Sequence, residues 1–96
     1  MYFFYVLYSL KDHRLYKGVT MDVNKRLEEH NSGRTKSTKS RRPFVLLYFE
    51  EYPEKTLALK RENWAKTLDG GSQLKLKLIE LGLLTVNGII KRKDSE

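Results

Sequence analysis

Apolar and polar residues alternate with two different periods along this chain, and the changes of period predict strands and helices. FFYVLYSL at residues 3–10 is aromatic and branched on both faces, which is typical of a central strand. The polar loop KDHR follows it, and residues 15–20 are predicted to return as a second strand. PFVLLYFEEY at residues 43–52 is predicted to be a third strand that starts at a proline.

The first two predicted strands place two tyrosines side by side. If Leu10 pairs with Leu15, Tyr5 and Tyr16 lie on the same face of the sheet, because side chains alternate with a period of two. Gly18 lies on that face too and leaves it open where a bulkier residue would fill it.

Helical periods predict the remaining elements. One helix is expected from the N-cap Asp22 to about residue 31, with Gly33 as its terminator, and a second over residues 54–68. DGG at residues 69–71 is expected to break that second helix. QLKLKLIELG at residues 73–82 fits either a strand or a helix, and the glycine at its end favours the helix.

These elements predict an α+β fold in which a small three-stranded antiparallel sheet is sandwiched by about three helices. Ser72 is expected to cap the third helix. We expect one domain over residues 1–82 and an extension over residues 83–96. TVNGII at residues 85–90 predicts a short hairpin around its Asn-Gly turn, and KRKDSE at the end is expected to fray.

Composition excludes several classes of protein. Cysteine is absent, which excludes a disulfide scaffold, thiol catalysis and a cysteine zinc site. The apolar runs are too short for a spanning helix, and the amino terminus lacks the basic region and cleavage site of a signal peptide. We therefore expect a soluble, cytoplasmic protein that has no membrane partner.

Charge favours a polyanionic partner. Lys and Arg number 19 against 12 Asp and Glu, which gives a net charge of +7. GRTKSTKSRR at residues 33–42 contains five cations and no acid, with Ser and Thr between them that can bind phosphate oxygens. A solvated loop would look the same, but we expect phosphate contacts from Arg34, Lys36, Lys39, Arg41 and Arg42.

Several ionisable residues lie at the rim of the predicted core. Arg26 and His30 flank the apolar stripe of the first helix, and Glu62 lies just outside that of the second. Each has an ordinary interpretation, such as a pair between Glu62 and Lys66. The sequence has no Gly-rich phosphate loop and no multi-histidine cluster. A metal would therefore have few protein ligands, which suits Mg²⁺.

Taken together, these motifs resemble the GIY-YIG nuclease domain family. FFY and YKG stand in place of its two tripeptides, DVNKRLEEHNSG resembles its first helix, and ALKRENWAKT resembles the helix that carries its metal-binding glutamate. The resemblance covers residues 2–80 and is to small stand-alone members and to the catalytic domain of the excinuclease that acts in excision repair. Phe3 replaces a glycine of the first motif, and Lys17 replaces the apolar middle residue of the second.

The resemblance implies a metal-dependent endonuclease that hydrolyses DNA phosphodiester bonds, in DNA repair or processing. It implies one Mg²⁺ or Mn²⁺ ion held by Glu62, a phosphate held by Arg26, and a water held or deprotonated by Tyr16 with Tyr5 beside it. His30 would relay a proton or hold the phosphate. The implied catalytic residues are Tyr5, Tyr16, Arg26, His30 and Glu62.

Two other functions remain open from the sequence. A module of the same fold could bind nucleic acid without cutting it, and a structural or partner-binding domain could use the unmatched hairpin at residues 85–90. Single-stranded, duplex and branched DNA are equally compatible substrates, and the oligomeric state is open.

Overall fold

A computed structural model describes residues 1–91; residues 92–96, which hold most of the predicted tail, lie outside the described residues. Within residues 1–91 the strands and α-helices are β1 (Tyr2–Ser9), β2 (Leu15–Thr20), α1 (Val23–Ser32), β3 (Phe44–Tyr52), α2 (Lys55–Ala65) and α3 (Leu68–Glu80). A 3-10 turn spans Lys39–Arg41. The strands form one antiparallel sheet, so the predicted α+β fold is confirmed.

β1 is the central strand, as its apolar residues predict, and the sheet order is β2-β1-β3. Its register with β2 differs from the predicted one: Tyr8, and not Leu10, lies opposite Leu15. The reason is a longer connection, because the backbone N–H of Leu10 turns away to the carbonyl of Pro43. A shift of two residues preserves the faces, so Tyr5 and Tyr16 do share one side of the sheet.

The sheet separates two cores. On the front face, α1 packs against a cluster that contains Tyr5, Leu7 and Phe44. On the back face, α2 and α3 cover a larger cluster that contains Phe4, Val6, Tyr8, Leu74 and Leu78. The central strand is buried on both sides because it contributes alternate residues to the two cores.

The ends of α1 follow the sequence prediction. The Asp22 carboxylate accepts the backbone N–H of Lys25, which satisfies one of the unpaired donors at the start of the helix. Gly33 adopts a left-handed conformation with φ of 86°, and its N–H bonds the carbonyl of His30. These two caps fix the helix that carries Arg26.

The predicted break between α2 and α3 is misplaced. α2 ends at Ala65, Thr67 caps α3, and the residues expected to form the break, 69–71, lie in the first turn of α3. Glycine allows this tight corner, because a Cβ on Gly70 would lie 1.8 Å from the carbonyl oxygen of Trp64. The cap therefore comes from Thr67 and not from Ser72.

Of residues 73–82, which fitted either a strand or a helix, residues 73–80 belong to a helix. α3 runs to Glu80, and Gly82 follows with a left-handed φ of 79°. The Asn-Gly hairpin is reduced to one bridge between Leu84 and Ile90. Leu84 is buried in the back core, while the domain boundary near residue 82 stays a prediction. No helix within residues 1–91 has the length and apolarity needed to cross a bilayer.

Candidate active site

Tyr5 lies at the centre of the front face and is 1% exposed. It pairs across the sheet with Gly18, where an added Cβ would lie 2.6 Å from the Tyr5 hydroxyl oxygen. The phenol therefore occupies the space that the missing side chain leaves, and its hydroxyl points toward α1. The glycine of the second motif is required by the tyrosine of the first.

A chain of hydrogen bonds runs through the Tyr5 hydroxyl. Arg26 Nε donates to the phenol oxygen at 3.4 Å, and the hydroxyl bonds His30 Nε2 at 3.2 Å. His30 Nδ1 bonds the Thr38 hydroxyl at 2.8 Å, and that hydroxyl donates to the Thr35 carbonyl. These directions assign the proton of the neutral imidazole to Nδ1 and make Nε2 the acceptor for Tyr5.

His30 is fully buried behind the two tyrosines. The Tyr16 ring packs edge-on against the imidazole with 4.7 Å between centroids, and Phe44 contacts another side of it. Burial lowers the pKa of His30, and the positive charge of Arg26 lowers it further. A neutral imidazole with both nitrogens engaged can affect a substrate only through Tyr5.

The two phenols have different surroundings. Burial raises the pKa of Tyr5, so its hydroxyl keeps its proton near neutral pH. Tyr16 is only partly buried, and its ring centroid lies 6.3 Å from that of Tyr5. Tyr16 is therefore the phenol that solvent can reach.

Arg26 supplies a positive charge at the opening of the cluster. Its guanidinium bonds Tyr5 and, through Nη1, the Glu29 carboxylate at 3.0 Å. The hydrogen bond to Tyr5 is the main cause that raises the pKa of Arg26, so the charge persists at all working pH values. With 34% of the side chain exposed, part of the guanidinium remains available to an anion.

Glu62 lies on α2, in the helical layer on the back of the sheet. Its carboxylate, 17% exposed, pairs with Lys66 Nζ at 2.9 Å, which confirms the ordinary pairing expected from the sequence. Its charge also raises the pKa of Tyr5, so the carboxylate lies within electrostatic reach of that phenol. Lys17 of β2 donates to the carbonyl of Ala65 at 2.9 Å and ties the end of α2 to the sheet edge.

The residues present are compatible with a magnesium ion held largely by water and substrate. Residues 1–91 contain no group of three or more His, Asp or Glu side chains arranged to bind a metal. Glu62 offers one partly exposed carboxylate, a hard oxygen ligand of the kind Mg²⁺ prefers. Its competitor Lys66 is 54% exposed and can move away. The donor set therefore fits one such ion.

The basic loop divides into structural and available cations. Arg41 pairs with Asp12 at 2.6 Å, a bond that lowers the pKa of this carboxyl to about 2. Arg42 donates to the carbonyls of Lys39 and Asn31. Within residues 1–91 the Arg34, Lys36 and Lys39 side chains form no ion pair. A cleft of about 640 Å³ is lined by Lys11, Lys36, Lys39, Ser40, Arg42 and Pro43.

The sequence analysis missed two residues that position parts of the site. Thr38 is 1% exposed and holds His30, although in the sequence it is one of several hydroxyl residues of a basic loop. The Asn31 amide bonds both the N–H and the carbonyl of Phe44, at 2.7 and 2.9 Å, and so joins α1 to β3. The only hint for Asn31 was its position directly after His30.

Several known proteins are similar to this chain in sequence. The sequence pattern of the GIY-YIG catalytic domain matches residues 1–71. A UPF0213 protein of Staphylococcus epidermidis is 45% identical over 82 residues, which cover 84% of this chain and 96% of the relative. A UPF0213 protein of Staphylococcus saprophyticus is 48% identical over 73 residues, 75% and 87% of the two chains.

A solved structure is also similar. The solution NMR structure of the UPF0213 protein BH0048 from Bacillus halodurans is 35% identical, with a TM-score of 0.47, and the match covers 77% of this chain and 82% of that one. The sequence match extends over more than half of the chain and includes the positions of Tyr5, Tyr16, Arg26, His30 and Glu62. The chain belongs to the GIY-YIG catalytic domain family, which supports a nuclease-type function and a nucleic-acid substrate for it.

Proposed function

We propose that the protein is a divalent-metal-dependent endonuclease that hydrolyses DNA phosphodiester bonds in DNA repair or processing. The observation that carries the proposal is the hydrogen bond from Arg26 Nε to the Tyr5 hydroxyl. It places a permanently charged, partly exposed guanidinium beside two phenols. A site for phosphodiester hydrolysis needs such a cation next to groups that hold water.

Arg26 binds a non-bridging oxygen of the scissile phosphate. Negative charge grows on those oxygens as water attacks, so a fixed donor stabilises the transition state more than the bound substrate. The bonds of Arg26 to Tyr5 and Glu29 hold the guanidinium in place before the substrate arrives. Little reorganisation is then needed during the reaction.

Tyr16 holds or deprotonates the attacking water, because it is the phenol that solvent can reach. Tyr5 keeps its proton and acts as a fixed hydrogen-bonding partner beside it. His30 orients the Tyr5 hydroxyl, because Nε2 accepts a hydrogen bond from it. Thr38 in turn keeps the proton of His30 on Nδ1.

Glu62 would hold the ion, Mg²⁺ or Mn²⁺, once Lys66 gives up its ion pair. A bound divalent ion polarises the phosphate and stabilises the departing oxygen. Lys36 and Lys39, which form no ion pair within residues 1–91, attract the strand through their charges, in the loop that also contains Arg34, Arg41 and Arg42. The loop cations contribute affinity, and the front-face residues contribute rate.

Glu62→Gln tests the proposal. We measure cleavage of end-labelled single-stranded, duplex and flapped DNA with Mg²⁺ or EDTA. The expected result is Mg²⁺-dependent cleavage by the wild type, a loss of at least about 100-fold in the variant, and unchanged DNA binding. Glu80→Gln, an exposed acid on α3, is the matched control and should cleave normally.

Equal cleavage by Glu62→Gln and the wild type would contradict the role of Glu62. Binding of DNA by the wild type with no cleavage in Mg²⁺ or Mn²⁺ would instead favour a non-catalytic binding module.

A further inference from the structure

The front face continues beyond Tyr5 into an uncovered aromatic cleft. Phe3 and Phe49 meet edge-on with 5.7 Å between ring centroids, and Phe49 is 48% exposed. Met21, 65% exposed, lies at the opposite wall beside the first turn of α1. Together with Val23 and Leu46 these residues line a cleft of about 310 Å³, which we term the aromatic cleft.

The aromatic cleft adjoins the candidate active site. Phe49 lies directly opposite Tyr5 in the pairing of β1 with β3. Directly opposed residues have Cβ atoms about 4.5–5.5 Å apart and share one face of the sheet. Phe3 is on that face as well, two residues before Tyr5. A group bound in the cleft would therefore lie beside Tyr5, the residue whose hydroxyl Arg26 contacts.

The chemistry of the aromatic cleft differs from that of the basic cleft, which is the cleft of about 640 Å³ lined by Lys11, Lys36 and Lys39. Its lining includes no lysine or arginine, and the acidic Asp22 is part of its wall. Glu51 lies opposite Phe3 on the same face. Phosphate would be repelled here, whereas a neutral flat ring can stack on Phe49 and Phe3. The Asn24 amide at the rim offers both a donor and acceptors for the edge of a base.

We propose, resting on the endonuclease function above, that the aromatic cleft binds an unpaired nucleobase of the substrate strand next to the cleaved phosphate. Its volume is at the lower end of small-ligand sites, which suits one base. A second protein copy would need about 20–30 residues on each side, and this cleft is far smaller.

The proposal selects a substrate class. A base in a duplex is stacked and paired, so moving it into the cleft requires the free energy of breaking its base pair. An unpaired base does not require this free energy. The protein should therefore act on DNA that has unpaired nucleotides at the cut, as in single strands and flaps, in preference to uninterrupted duplex. Specificity for sequence would come only from the fit of one base.

Binding in EDTA tests the cleft without requiring cleavage. We compare, by fluorescence anisotropy, a single-stranded thymidine oligonucleotide with an abasic strand of the same length. The wild type should bind the thymidine strand at least roughly fivefold more tightly, the lower range for stacking of one base on an aromatic ring. Phe49→Ala should remove this preference, and Phe49→Trp should retain it.

Two further variants isolate the effect. Leu68→Ala removes an apolar side chain that is 90% exposed on α3 and should leave the preference unchanged. Lys39→Met should weaken binding of both strands by the same factor, because it removes a charge from the basic cleft. Thermal unfolding of each variant shows whether it is folded. We expect Phe49→Ala to fold, because Phe49 is half-exposed.

The outcomes separate the two proposals. An unchanged preference in folded Phe49→Ala would overturn the aromatic cleft as a base site. If the wild type is found to be a dimer and that variant a monomer with the same preference, the cleft is instead a contact between two copies. If Phe49→Ala loses the preference while the wild type fails to cut any DNA in Mg²⁺, the base site stands and the endonuclease proposal fails.

Discussion

The two faces of the sheet each carry a cluster of tyrosines with an arginine, and the clusters differ in how many hydrogen bonds hold the arginine to a carboxylate. On the back face the Glu50 carboxylate accepts two bonds from Arg61, at 2.9 and 3.0 Å, and one each from Tyr48 and Tyr52. Burial alone would raise the pKa of Glu50, but these donors hold it below its usual value. The charges of Glu50 and Arg61 therefore compensate each other.

The front cluster contains similar residues, but fewer hydrogen bonds hold its arginine to a carboxylate. Arg26 donates to an uncharged phenol, and its one carboxylate partner, Glu29, lies on the helix surface. His30 brings no charge at neutral pH because burial lowers its pKa. Arg26 is thus held to a carboxylate by one bond and is 34% exposed, whereas Arg61 is held by two bonds and is 26% exposed. The same residue types hold the fold together on the back and, in the function proposed above, bind a phosphate on the front.

Exchange of the two arginines for alanine should give the largest contrast. Arg26→Ala should lower the cleavage rate by about 100- to 1,000-fold, as expected for loss of one transition-state donor, with little change in the free energy of unfolding. Arg61→Ala should lower the free energy of unfolding by about 1.5–3 kcal/mol, because it leaves the Glu50 carboxylate without its charged donor. Urea unfolding and single-turnover cleavage measure the two effects.

Lysine variants sharpen the contrast. Arg26→Lys and Arg61→Lys retain the charge but lose the planar pair of donors. Arg26→Lys should therefore restore part of the cleavage rate that Arg26→Ala loses, and Arg61→Lys part of the free energy of unfolding that Arg61→Ala loses. If Arg26→Ala were as destabilising as Arg61→Ala, and cut DNA normally, the front cluster would be structural and the distinction between the faces would fail.

Gly18→Ala should have the next largest effect. The new Cβ would lie 2.6–2.9 Å from atoms of the Tyr5 ring, so the ring must move and its bonds to Arg26 and His30 must break. We expect cleavage to fall by roughly 100-fold, as for a misplacement of about 1 Å, and the free energy of unfolding to fall by about 1–3 kcal/mol.

The matched control lies on the back face. Gly71→Ala brings a Cβ to 3.1 Å from the carbonyl oxygen of Ala65, so it also demands a small adjustment, away from the phenols. It should retain most of the cleavage rate. Normal cleavage by folded Gly18→Ala would show that the position of Tyr5 does not matter for activity.

Local signals explain what the sequence could predict. The period of two placed Tyr5 and Tyr16 on one face even though the predicted register was wrong by two residues. Asp22 and Gly33 predicted both ends of α1, because a cap depends on atoms a few residues away. The placement of the candidate site residues of β1, β2 and α1 on the front face follows from these local facts and from the family motifs.

Long-range pairings explain what it could not predict. Arg41 was expected to contact phosphate, yet its guanidinium bonds Asp12, which is 29 residues away and leaves no periodic trace. The role of Thr38 depends on the return of the loop to His30, and the Glu50 network depends on the packing of α2 against β3. How firmly a charged side chain is held, which distinguishes the two faces, is visible only after folding.

The smallest difference that we expect between the two faces is in the pH dependence of stability. The pKa of His30 is lower in the folded protein than its ordinary value near 6.5, chiefly because of burial. The unfolded state therefore binds a proton more readily, so stability is full above about pH 6.5 and is lost as the pH falls toward the folded pKa. Glu50 of the back face has a pKa below its usual value despite its burial, because Arg61, Tyr48 and Tyr52 donate to it, so it stays charged throughout this window. Thermal unfolding between about pH 7.5 and 5.5 should show a falling Tm.

His30→Gln should flatten that dependence, whatever its own effect on the Tm at the upper end of the range, because glutamine does not titrate. His13→Gln is the control, since the exposed His13 bonds the Tyr8 hydroxyl on the other side of the sheet. The general repulsion in a protein of net charge +7 acts in both variants. Equal slopes in His30→Gln and the wild type would mean that His30 accepts a proton within the fold at no cost, and that Tyr5 is not held by a neutral imidazole.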